Sequence, residues 1–178
     1  MSNLKITDLK KYLKTLSEEE LRNEIVALAK NYKEIKNYYN IKINPENEEE
    51  ILEKYKSIIK KEFFPDRGSE KMRYKVVKDA IKDYKKISNN HKNIADLMLY
   101  YTEIGVKFTN EFGDIDERFY TNIENAYEDA LKYIFENKLE EEFNKRAKEV
   151  VENINNMGWG FKDSMNDNFY YYYVNYDD

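Results

Sequence analysis

Between positions 71 and 87 the chain changes polarity with the period of a helix and not of a strand. Lys71, Lys75, Lys78, Lys82 and Lys85 are spaced four, three, four, three, which at about 100° per residue confines all five to one stripe. Met72, Val76, Val77, Ala80, Ile81, Tyr84 and Ile87 fall on the opposite side. One face is built for a core and the other for anions or an acidic surface.

The same period recurs along the chain. Leu9, Tyr12, Leu13 and Leu16 follow Thr7, which is placed to cap a short helix. Ser17-Glu18-Glu19-Glu20 has the form of a capping box, and Leu21, Ile25, Leu28, Ala29 and Tyr32 extend a second helix to about Tyr39. Asn44-Pro45 breaks it, and a third helix carries Ile51, Leu52, Tyr55, Ile59 and Phe63 until Pro65. Arg67-Gly68 turns the chain, and Ser69 is placed to cap the lysine-striped helix, which ends at Ser88-Asn89-Asn90. Three further apolar faces follow, the second capped by Asp114 or Asp116, before Gly158-Trp159-Gly160 and an aromatic tail. Two prolines and five glycines leave little for a turn-rich β-sandwich. The expectation is an all-α fold of seven to eight helices, in antiparallel helical hairpins packed as a bundle or a short α-solenoid-like stack. A single domain spans 1–178, with an N-terminal hairpin over 1–40, a main body over 46–157 and an aromatic segment over 158–178.

Cysteine is absent, so disulfides, zinc ribbons, iron–sulfur ligation and thiol catalysis are excluded together. No stretch approaches a membrane-spanning length, and a cytoplasmic protein that contacts no membrane is expected. The net charge of −5 conceals a division. Residues 54–86 hold 12 basic and 5 acidic side chains, whereas residues 87–178 hold 9 basic and 19 acidic. The two regions either satisfy each other or present unlike surfaces to partners.

Several segments carry candidate chemistry. The lysine stripe suits phosphates, with binding that falls steeply with salt; a solvated helix face, or pairing with the acidic half, is the favoured account of it. Arg67 and Gly68 lie where a turn leads into a helix start, which suits an anion or a simple helix corner in which Gly68 supplies a positive φ. Trp159 serves either as a partner-binding platform or, the favoured reading, as a buried anchor, with Gly158 ending the preceding helix in a left-handed conformation. The run from Phe169 to Tyr176 has no single apolar face, so a helix leaves some rings outside, offering a route to self-association that Asp177 and Asp178 oppose. His91 is the sole histidine and sits near a loop-to-helix junction. Asp114, Asp116 and Glu117 cluster at a helix start, and Glu124 and Glu128 share a face; carboxylate-only metal sites are built from such residues, but acids at a helix N-terminus and i,i+4 acids on an exposed face require no metal, which is the favoured reading.

Leu16-Ser17-Glu18-Glu19-Glu20-Leu21, Phe63-Phe64-Pro65-Asp66-Arg67-Gly68 and Met157-Gly158-Trp159-Gly160-Phe161 together resemble a family of short, uncharacterised bacterial all-helical proteins, a domain of unknown function. The resemblance implies an all-helical fold across most of the chain and carries no catalytic residues or cofactor with it. The sequence is therefore read as a non-catalytic protein–protein interaction module. Its anion- or partner-binding residues are Arg67, Gly68, Lys71, Lys75, Lys78, Lys82, Lys85 and Trp159, and its expected partner is a protein. A nucleic-acid-binding role centred on 54–86 stands second, and a carboxylate-metal hydrolase using Asp114, Asp116 and Glu117 third.

Overall fold

The computed structural model describes residues 3–155 and 157–174. Among them the chain is all-α, with nine α-helices, one 3₁₀ turn and no strand. It divides into two compact units, Met1–Asn47 and Glu48–Asp178.

The first unit holds α1 (Ile6–Leu13), α2 (Glu18–Asn31), α3 (Lys33–Ile43) and the 3₁₀ turn Pro45–Asn47. Ser17 and Glu20 form the expected capping box in both directions. Thr7 is not a cap: it lies inside α1, which starts one residue earlier behind Lys5. The single helix expected to reach Tyr39 is two, because Tyr32 adopts an extended conformation (φ −123°, ψ 116°) between α2 and α3. That break raises the helix number above the expected range. Leu9, Leu13, Leu16 and Leu21 are half-buried, and none of the three helices has a fully buried residue.

The second unit holds α4 (Glu48–Phe63), α5 (Tyr74–Ile87), α6 (His91–Phe112), α7 (Glu117–Glu136), α8 (Glu140–Glu152) and α9 (Phe161–Tyr173). Short connections make sequential neighbours antiparallel. The most apolar helix, α6, lies centrally and packs on α4, α5, α7 and α8. Its Phe108 forms an aromatic cluster with Phe63 and Phe119, rings that are essentially buried. Gly105 lets α6 approach α7 so closely that a Cβ there would lie 2.3 Å from Ile123 Cδ1. Asn90 caps α6 by accepting from the Lys92 and Asn93 N–H groups. Asp116, not Asp114, caps α7 by accepting from Phe119 N–H at 2.7 Å.

Two features differ from the sequence reading. Ser69 does not cap the lysine-striped helix, which begins five residues later at Tyr74. The cause is Glu62, only 4 % exposed. Its carbonyl accepts the N–H groups of Lys71 and Met72, and its carboxylate accepts from Arg73 Nη2 at 2.7 Å, Nε at 3.0 Å and N–H at 3.1 Å. Five donors converge there and hold 71–73 out of the helix, with Met72 at φ 45°. Secondly, Trp159 is not a buried anchor: it is 62 % exposed. Trp159 (φ 61°) and Gly160 (φ 65°) are the left-handed residues rather than Gly158, and the reversal drives Phe161 into the core against Tyr120, ring centroids 4.6 Å apart. Phe161, Met165, Phe169 and Tyr173 then form the buried face of α9, while Tyr170 and Tyr171 remain outside. Tyr176, Asp177 and Asp178 lie outside the described residues.

Candidate functional site

Because α5 and α7 each pair antiparallel with α6, they run in the same direction with α6 behind them. Contacts at both ends agree. Arg118 at the start of α7 lies 5.7 Å from the ring of Tyr74 at the start of α5. Lys85 near the end of α5 lies 4.5 Å from the ring of Tyr133 near the end of α7. Both are cation–π distances. Between them opens a groove of about 470 Å³.

The α5 wall consists of Lys78, Ile81, Lys82 and Lys85, and α6 supplies Met98 and Tyr101 to the floor. The α7 wall offers Ala126 and Tyr133 with Asn125, Asp129, Lys132 and Glu136. The groove thus has an apolar base between a cationic wall and a mixed, mainly acidic one. Lys78 and Lys82 are exposed and form no salt bridge among the described residues. Lys132 approaches Glu136 at 4.0 Å. Burial pushes the Lys85 ammonium below the ordinary lysine value, against the opposing pull of Asp129 and Glu136. Burial also raises the Tyr133 phenol, whose hydroxyl lies 2.7 Å from His91 Nδ1. Tyr101 is 1 % exposed, and its buried hydroxyl has no hydrogen-bond partner among the described residues.

The sequence-predicted residues do not all meet here. Lys78, Lys82 and Lys85 line the groove. Lys75 stands one turn earlier on α5, exposed and paired with Asp79 at 2.7 Å on its own helix. Among the described residues none of the five stripe lysines makes a salt bridge to the acidic second half. Lys71 precedes α5, its N–H engaged by Glu62. Arg67 and Gly68 are exposed in the α4–α5 connection, where Gly68 has the expected positive φ of 78°. That turn does not lead directly into a helix start, and the Arg73 N–H at the true start already donates to Glu62. Trp159 stands before α9, near the start of α7, where Gly158 N–H donates to Asp114 at 3.2 Å.

Asp114 and Asp116 are likewise engaged structurally, Asp114 by the Tyr120 hydroxyl at 2.6 Å and Asp116 as a cap. Among the described residues no three acidic or histidine side chains are grouped to hold a metal ion. The sequence reading missed the α7 wall. Asn125, Asp129, Lys132 and Glu136 do recur at helical spacing, but nothing local tells which helix faces them, and Ala126 reads as a member of a core stripe.

A second polar cluster is structural. Arg146 on α8 donates to Glu103 Oε1 at 2.6 Å and Oε2 at 3.0 Å and also to Asp96, while Lys56 on α4 reaches Asp96 at 2.7 Å. The four groups tie α4, α6 and α8 together; burial disfavours the guanidinium, and the two carboxylates outweigh it, raising its pKa. Among the described residues no helix is long and apolar enough to cross a membrane.

The chain belongs to a family of unknown function (DUF6155), whose model matches residues 4–172. No curated protein and no solved structure matches it.

Proposed function

We propose that this protein is a non-catalytic protein-interaction module whose contact face is the α5–α7 groove with its lysine wall. One observation carries the reading: Lys78 and Lys82 stand exposed, without salt bridges among the described residues, beside an apolar floor. Charged rims set orientation and encounter rate, while apolar floors supply most of the affinity. Lys75 and Lys85 extend the face along α5. Exposed Trp159 offers a separate aromatic contact point, of the residue type enriched at binding hot spots.

The alternative, nucleic-acid binding through 54–86, is disfavoured by the opposite wall. A phosphate backbone lying on Lys78 and Lys82 also meets Asp129 and Glu136.

Co-purification from the native host tests the module reading. It expects a stoichiometric protein partner, retained by wild type and depleted at least tenfold by Lys78→Glu combined with Lys82→Glu. A partner held equally by the variant removes the assigned face, and the absence of any stoichiometric partner removes the module.

A further inference from the structure

We propose that the α5–α7 groove receives a short amphipathic α-helix of a partner protein, acidic along the flank that meets α5. This rests on the module reading and names the class of partner. The trough runs beside α7 from Asn125 to Glu136, twelve residues whose ends lie about 16 Å apart at helical rise. That is about three turns, the length over which a helix presents apolar anchors at i, i+3 or i+4, and i+7. The apolar side chains that would receive them are Met98 and Tyr101 on the floor with Ile81 and Ala126 at the feet of the two walls.

The two walls, parallel and both backed by α6, leave the position of a missing helix on the open side. An occupant there packs against both walls as a bundle helix does.

Charge decides the flanks. Lys78 and Lys82 are one helical turn apart on the same wall, so carboxylates spaced i, i+4 on the occupant face both ammonium groups together. On the other wall Asp129 faces the groove while Glu136 is approached by Lys132, which favours a basic or neutral flank there. A β-strand occupant gains no ladder, because the described residues contain no sheet edge. An extended polyanion is opposed by the α7 acids.

Site-specific photo-cross-linking of the full chain in its native host tests this. p-Benzoylphenylalanine replaces Ala126 in the groove, or the exposed Lys148 on α8 as control. Mass spectrometry of the Ala126 cross-link is expected to return a partner segment with helical apolar spacing and acidic residues along one flank. Adding Lys78→Glu and Lys82→Glu should reduce that cross-link at least tenfold. The corresponding synthetic peptide should bind wild type by fluorescence anisotropy and gain helicity by circular dichroism. A cross-linked segment without that pattern, a nucleic-acid or small-molecule adduct, or no yield above the Lys148 control overturns the helix proposal. If a stoichiometric partner is still lost with the two lysines, the module reading survives that result; if no partner exists, both fall.

Discussion

Replacing Gly105 with alanine sets two effects of comparable size against each other at the α6–α7 interface that holds the groove's floor to its wall. In a helix interior alanine is favoured over glycine by about 1 kcal/mol. Against this, the new Cβ would lie 2.3 Å from Ile123 Cδ1, 2.8 Å from Cγ1 and 3.2 Å from Cγ2. Rotation about χ2 moves only Cδ1. Moving both γ carbons requires leaving the χ1 well that a β-branched residue strongly prefers in a helix, at about 0.5–1.5 kcal/mol, or separating the helices. Ile123 is fully buried, so its displaced atoms meet other core atoms, and overpacking of this kind costs about 1–3 kcal/mol. With three contacts inside van der Waals distance the clash wins, and Gly105→Ala should lose about 1–2 kcal/mol net. At roughly 2–4 °C per kcal/mol for a chain of this size, the melting temperature falls by several degrees. Urea denaturation followed by far-UV circular dichroism reads the loss as a lower midpoint at unchanged slope. Ile123→Val removes Cδ1, so the alanine penalty should shrink in that background by about 0.5 kcal/mol or more. A midpoint for Gly105→Ala equal to or above wild type would refute the reasoning, since propensity would then outweigh a contact the structure makes unavoidable.

Four further outcomes are expected. Glu62 is held below the ordinary carboxylate range by Arg73, so its contribution is present above that range and lost as pH falls through its folded value; urea midpoints between about pH 6 and pH 2.5 should therefore fall more steeply for wild type than for Glu62→Gln, and parallel curves would contradict this. Arg146→Met leaves Glu103 without its guanidinium and Asp96 with Lys56 as its remaining cation and should cost about 2 kcal/mol or more in chemical denaturation; a neutral effect would mean the network is replaceable by packing. Tyr101→Phe deletes a buried hydroxyl that has no partner among the described residues, so stability should stay level or rise by up to about 1 kcal/mol, whereas a loss would reveal a partner for that oxygen. Because burial depresses the Lys85 ammonium, its NMR signal after reductive methylation should titrate below the ordinary lysine value, and a midpoint at or above that value would remove the desolvated position over Tyr133.

How much of this was legible depends on the range of the interaction that decides each feature. The Ser17–Glu20 capping box, the Pro65 stop and the positive φ at Gly68 are settled within four residues, and the sequence pattern identifies them. The family resemblance likewise rested on local segments and agrees with the family match. The start of α5 was misplaced because a good capping residue, Ser69, is overruled by Glu62, which lies on a different helix and gathers five donors. Trp159 was misassigned for a related reason. Size argues for burial, but the left-handed backbone at 159 and 160 delivers the next aromatic, Phe161, into the core instead. The break at Tyr32 has no proline or glycine to announce it.

The groove itself shows why a charge count along the chain is a poor guide to a charged surface. Residues 54–86 hold a large excess of lysine and arginine, yet Asp129 and Glu136 stand across the groove from Lys78, Lys82 and Lys85, brought there by α6. The field over the α5 wall is therefore short-ranged, because opposite charges a groove's width apart cancel beyond about a Debye length. Partner binding should then weaken only modestly between about 0.05 and 0.2 M salt, unlike the 10³–10⁵-fold loss of a protein neutralising six to ten phosphates. Neutralising the far wall with Asp129→Asn and Glu136→Gln should lengthen the reach of the lysines and steepen that salt dependence. An unchanged slope in the double variant would show that the two walls do not sense one another, and that the lysines act as an isolated cationic stripe.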